Sequence, residues 1–141
     1  SEVLTPLFDF TRISKGVMGK YYKESNTQQR KSFERVFRKS LLSTYGKTLA
    51  EFKDEQINVL PEKEKSSNSK RAKIQLEIIT QSKVYPALYS MYLDKNSKWK
   101  VINIIVNGVN LGVTFRNQFY ALMKSHNNDI DKVIEEWVTT I

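Results

Sequence analysis

Phe33, Phe37, Leu41, Tyr45, Leu49 and Phe52 recur at spacings of four, four, four, four and three, and a few residues later the spacing of apolar positions drops to two. That change of period constrains the fold more than any other feature, because a three-and-four stripe belongs to one side of a helix and alternation to one side of a strand. Alternation runs through Ile57 and Val59, then Ile74, Leu76 and Ile78, then from Tyr85 to Leu93, then from Trp99 to Val106. Four antiparallel strands are the economical reading. Ser66-Ser67-Asn68-Ser69 supplies a polar hairpin tip between the first two, Asp94 to Ser97 a turn between the last two, and Asn107-Gly108 a tight turn after them.

Helical spacing flanks the strands on both sides. Thr5-Pro6 is a start signal, a capping hydroxyl followed by a proline whose missing N–H costs nothing there, and predicts a helix to about Lys23 with Leu7, Phe8, Val17, Met18 and Tyr21 inward. Gly16 and Gly19 weaken that helix by about 1 kcal/mol each. Thr27 is placed to cap the long stripe, and Gly46 offers a break within it. After the strands, Phe115, Phe119, Leu122 and Met123 form one stripe, and Ile130, Val133, Ile134, Trp137, Val138 and Ile141 form another, capped by Asp129. The order of helices, sheet and helices predicts an α+β fold: a four-stranded antiparallel sheet with helices packed mainly on one face. At 141 residues the chain supports one core, so residues 1–141 are expected to form a single domain.

Several chemistries have no residues to carry them. There is no cysteine for a disulfide, thiolate metal site or nucleophile, and the one histidine, His126, sits in a polar string at a predicted helix end. No HExxH, GxSxG, P-loop or GxGxxG occurs, so no metal or cofactor is expected and the protein is not expected to be an enzyme. Glu77 and Asp94 fall near strand positions, and one of them serving as the lone base of a cone-shaped isomerase fold is the enzymatic alternative. No window holds the 18 apolar residues that a membrane-spanning helix needs. With neither an initiating Met nor a basic-then-apolar leader, the sequence is expected to begin at a processing site or an expression boundary.

Charge is the other strong signal. The chain carries +8, and between Arg12 and Lys39 nine basic residues face two acidic ones, Glu24 and Glu34. Such a surface suits anionic partners, and a basic nucleic-acid-binding module is the second alternative. Against it, Arg30, Lys31, Arg35, Arg38 and Lys39 lie on the helix side opposite the aromatic stripe, whereas single strands need charge and stacking rings on one surface.

The segment SFERVFRKSLLSTYGKTLAEF, residues 32–52, followed downstream by WKVINIIVNGVNLGVTFRNQF, residues 99–119, resembles the MlaC-type periplasmic phospholipid-binding proteins, the toluene-tolerance family. The first block matches that family's pattern at Phe33, Phe37, Leu41, Leu42, Thr44 and Tyr45, and Met18-Gly19-Lys20 is similar to its Leu-Gly-Lys element. The second matches at Trp99, Val101, Gly108, Val109, Leu111, Arg116, Gln118 and Phe119. The chain departs from the pattern at Asn103, where the family commonly has an acidic residue, and at Asn107 and Asn110. A neutral hydrogen bond must therefore stand in for any ion pair from position 103 to Arg116.

The resemblance implies a soluble phospholipid carrier in the periplasm, a monomer without nucleic-acid partners. It would shuttle lipid between an outer-membrane lipoprotein complex and an inner-membrane ABC transporter complex to maintain outer-membrane lipid asymmetry. On periodicity alone, the apolar stripes suit an ordinary filled core as well as a pocket lining. The resemblance favours the lining: acyl tails in an apolar cavity between sheet and helices, lined by Phe33, Phe37, Leu41, Tyr45, Leu49, Ile74, Leu76, Ile78, Ala87, Tyr89, Met91, Ile102, Ile104, Val106, Phe115 and Phe119. Arg116 is a candidate for the headgroup.

Overall fold

Period-two segments make strands and three-and-four stripes make helices in a computed structural model that describes residues 8–51, 56–59, 69–79 and 82–138, with residues 45–51, 56–59 and 78 described by backbone alone. In chain order these are α1 (Phe10–Met18), α2 (Thr27–Glu51), β1 (Gln56–Val59), β2 (Arg71–Ile79), β3 (Val84–Leu93), β4 (Trp99–Val106), β5 (Val109–Asn110), α3 (Leu111–Ser125) and α4 (Ile130–Glu136). The fold is α+β, with one antiparallel sheet. The chain divides into two compact units, one of Ser1–Asp9 with Thr48–Leu111 and one of Phe10–Lys47 with Gly112–Ile141.

The sheet unit is a meander in the order β1-β2-β3-β4-β5. Its four expected strands are joined by the two-residue β5, which pairs with the end of β4. The connecting Asn107-Gly108 has positive φ at both residues (50° and 83°), the left-handed pair that a two-residue hairpin turn requires. Between β3 and β4, Asp94 Oδ1 accepts from the Asn96 and Lys98 amides at 2.8 and 2.9 Å and holds the turn closed. A β-bulge interrupts the β3–β4 ladder: Ser90 pairs with Asn103 and Met91 with Val101, so Ile102 is the extra residue. The expected hairpin tip at Ser66 to Asn68 lies outside the described residues, as do Thr5-Pro6, Leu7 and Phe52.

The first helix differs from its expected span at both ends. Phe8 is not an inward helix residue; it forms a parallel bridge to Val101, and the Asp9 amide donates to the Val101 carbonyl at 3.1 Å. The Tyr92 hydroxyl donates to the Asp9 carboxylate. These bonds commit the segment to extended backbone, and helix begins only at Phe10. At the other end Gly19 adopts φ +55°, closes α1 after Met18 and leads into a 3-10 turn, Gly19–Tyr22. A Cβ there would lie 2.1 Å from Tyr120 Oη, which itself accepts from the Lys20 amide at 2.9 Å, so only glycine fits.

The cap of α2 is one residue earlier than expected. Asn26 Oδ1 accepts from the Gln29 amide at 2.8 Å and Gln29 Oε1 accepts from the Asn26 amide at 2.9 Å, a reciprocal capping box that leaves Thr27 as the first helical residue. Gly46 does not break the helix, whose backbone runs 25 residues without interruption. Asp129 caps α4 as expected, accepting from the Lys132 amide at 3.2 Å. In this helical unit Phe33 stacks on Phe37 (5.6 Å), meets Phe119 and Trp137 edge-on (5.0 and 5.2 Å), and Phe37 meets Phe115 edge-on (5.6 Å). Offset and edge-to-face rings at these distances fill space at interior density.

Candidate functional site

Strand register decides which side chains share a face, because residues opposite one another in a ladder point the same way. Leu76, Ala87 and Val106 form one row across β2, β3 and β4, and Ile74, Tyr89 and Ile104 form the next. Met91, opposite Ala72 and Val101, continues that side on β3. Alternation from Ile104 carries Ile102 there as well. The register therefore brings the eight sheet residues of the sequence-derived site whose side chains are described onto one face, with no charged residue among them. Leu76 and Ala87 are buried (7% and 6% exposed), whereas Ile74, Tyr89, Met91, Ile102, Ile104 and Val106 are only half-buried. The other face carries Arg71, Lys73, Gln75, Glu77, Ser90, Lys100 and Asn103 among its residues.

The helical part of that site has a different character. Phe33, Phe37 and Phe119 are 0% exposed and Phe115 is 3% exposed, closed into the aromatic cluster with Trp137. None of the four phenylalanines is more than 3% exposed, and they pack together in the core of the helical unit. Leu41 is half-buried, and the side chains of Tyr45, Leu49 and Ile78 lie outside the described residues. Arg116 is exposed on α3. Asn103 Nδ2 donates to Asn110 Oδ1 at 3.0 Å, so the neutral bond at position 103 includes Asn110.

Four residues of the apolar face, Ala72, Tyr85, Val101 and Trp99, were legible from the same alternation. Val101 is the most enclosed of them, 2% exposed. The signal that locates the bulge is the adjacent apolar pair Val101-Ile102, the one point where β4 breaks period two on this side. Tyr89 brings a hydroxyl into the apolar row, and burial pushes its phenol above the usual 10.0.

Elsewhere, polar groups are committed to structure. Both Oδ1 bonds of Asp94 go to its own turn, and Glu77 sits on the mixed face beside Gln75, away from the apolar rows. Among the described residues no group of three His, Asp or Glu side chains is arranged to hold a metal ion, and no helix is long and apolar enough to cross a membrane. Arg30 leaves the basic face of α2. Its guanidinium lies 3.8 Å over the Tyr22 ring and donates to the Tyr22 carbonyl (2.6 Å from Nη2) and to Ser25 Oγ (3.0 Å from Nε), pinning the end of the 3-10 turn.

Comparison with known proteins agrees with this architecture. The family described as "MlaC protein" matches residues 1–139. The toluene tolerance protein ttg2D of Pseudomonas putida is 36% identical over 139 residues, covering 97% of this chain. The intermembrane phospholipid transport system binding protein MlaC of Haemophilus influenzae is 28% identical over 111 residues, covering 77% of it. The chain spans 63% and 51% of the lengths of these two relatives. A phospholipid-binding protein from Ralstonia solanacearum, solved in complex with a phospholipid, superposes with a TM-score of 0.84 at 20% identity, over 93% of this chain and 72% of that one; it shares the fold.

Proposed function

The chain belongs to the MlaC family, and from that premise we propose that it is a phospholipid carrier of the periplasm whose acyl-chain site is the apolar face of the sheet. The observation that carries this reading is the half-burial of six of the eight described residues on that face. A soluble protein seldom leaves a contiguous apolar surface partly open to water unless something binds it. Names of the relatives and the phospholipid in the related structure support lipid as the guest. On this reading the helical aromatic cluster contributes rigidity, and residues 1–141 act as one lipid-binding domain.

Energetics dictate how such a carrier works. Each buried methylene is worth about 0.8 kcal/mol, so two tails with roughly 30 methylenes gain on the order of 24 kcal/mol on leaving water. That exceeds the roughly 18–21 kcal/mol at which non-covalent affinities level off, so release into water is negligibly slow. A bilayer offers the tails nearly the same environment, and transfer must be a docked handoff, here between an outer-membrane lipoprotein complex and an inner-membrane ABC transporter complex. The carrier acts as a monomer and maintains outer-membrane lipid asymmetry. Native mass spectrometry of gently purified protein, followed by lipid extraction, is the test: phospholipid adducts are expected. Protein that arrives empty and takes up no phospholipid from vesicles refutes the proposal.

A further inference from the structure

At 100° per residue, Lys31, Glu34, Arg35, Arg38, Lys39 and Leu42 fall within an arc of about 140° on α2, opposite the buried Phe33 and Phe37. They line one open depression. Four of the six are cations, gathered within about 12 Å of helix. Among the described residues Lys31, Arg35 and Lys39 have no carboxylate partner at ion-pair distance. Arg38 lies 5.2 Å over the Phe10 ring, which leaves its charge uncompensated. Glu34, the single acid of the group, accepts from the Thr11 hydroxyl at 2.7 Å. Lys31 with Arg35, and Arg35 with Lys39, are like charges four residues apart, a spacing that destabilises a helix until anions arrive from outside.

We infer that this face of α2 is a docking surface for the phosphate layer of an anionic bilayer. A straight stripe of cations meets a flat array of phosphates along its whole length, and guanidinium groups pair with phosphate oxygens in a bidentate manner. Leu42, 36% exposed and close to the centre of the arc, gives the stripe an apolar tooth that enters the boundary between headgroups and acyl chains. Nucleic acid is the poorer match, because Phe33 and Phe37, the rings of this helix whose side chains are described, are buried on the side away from its cations and offer them no stacking platform. The inference does not depend on what the sheet carries.

The experiment is sedimentation of the full chain with vesicles of phosphatidylcholine, with and without phosphatidylglycerol, at low and high salt. Binding is expected only with phosphatidylglycerol and only at low salt. The double variant Arg35→Gln/Lys39→Gln should bind roughly 25-fold more weakly, about fivefold for each cation removed. Lys95→Gln/Lys124→Gln, which removes the same charge from exposed sites elsewhere, should bind within about twofold of the parent. Far-ultraviolet melts confirm that both fold, and extracted phospholipid, measured on the same preparations, reports the sheet separately. Equal weakening by the two pairs, absence of binding to phosphatidylglycerol, or equally tight capture by soluble polyglutamate would overturn the inference, the last by assigning the face to an acidic protein.

Discussion

Phe37→Ala separates a packed interior from a guest-lined one. The Phe37 side chain is 0% exposed and its ring centroid lies 5.6 Å from Phe33, 5.6 Å from Phe115 and 6.0 Å from Trp137. Removing it forfeits the transfer of a buried aromatic, leaves a void, and breaks three ring contacts, which together cost about 3–5 kcal/mol. Domains of this size hold roughly 5–15 kcal/mol in total, so the variant should fold but melt about 9–15 °C lower, at roughly 3 °C per kcal/mol. Ile104→Ala on the sheet is the companion: its side chain is only half-buried, and the loss of about 1 kcal/mol should move the melt by only a few degrees. The assay is calorimetry of lipid-free protein together with phospholipid recovered per mole from loaded protein. Phe37→Ala should lower the melting temperature with little loss of lipid in the folded fraction, and Ile104→Ala should do the reverse. If Phe37→Ala melts within about 3 °C of the parent while lipid recovery collapses, the ring is a wall for cargo and the assignment of the aromatic cluster as core fails.

Gly16 within α1 and Gly19 just after it should respond with opposite signs. Gly19→Ala adds a Cβ 2.1 Å from Tyr120 Oη at φ +55° and should destabilise by more than about 1 kcal/mol, whereas Gly16→Ala enters open space and should stabilise by up to about 1 kcal/mol; thermal melts read both. Asn26→Ala removes one half of the capping box and should cost about 1 kcal/mol in urea unfolding, while Thr27→Ala should cost much less. For Tyr89, burial favours the neutral phenol in the folded state, so its contribution to stability is complete below the unfolded value of 10.0 and is lost as pH rises through its higher folded pKa. Tyrosinate absorbance, compared with Tyr89→Phe, should show this group titrating higher still once phospholipid is loaded; no shift on loading would remove Tyr89 from the lipid contact.

Strands were more legible than caps, and for a physical reason. Alternation over nine or ten residues fixes face as well as element, which is why Ile74, Ala87, Tyr89 and Ile104 converge as their spacing implies. The helix stripe at Phe33 and Phe37 was equally clear as periodicity, but period cannot tell a filled core from a wall. Only the neighbouring rings of Phe115, Phe119 and Trp137 do. Element ends depended on contacts distant in sequence. Phe8 reads as helical until Val101 supplies a bridge, and Gly19 reads as a weak helix residue until Tyr120 occupies the space its side chain would need. The capping box was present in the letters, Asn26 three residues before Gln29, and Thr27 masked it by being a good cap in its own right.

The surplus residue on β4 has an arithmetic consequence. Counting back from Ile104, strict alternation would turn Lys100 toward the oily rows and both Val101 and Trp99 toward the mixed side; the offset between Met91 and Val101 restores the parity and keeps the ammonium out. Deleting Ile102 should therefore be absorbed, since each remaining side chain keeps its side. Losing one residue between Asn103 and Val106, with the bulge intact and the Asn107-Gly108 turn as anchor, would flip the near half of the strand and set Lys100 amid hydrocarbon.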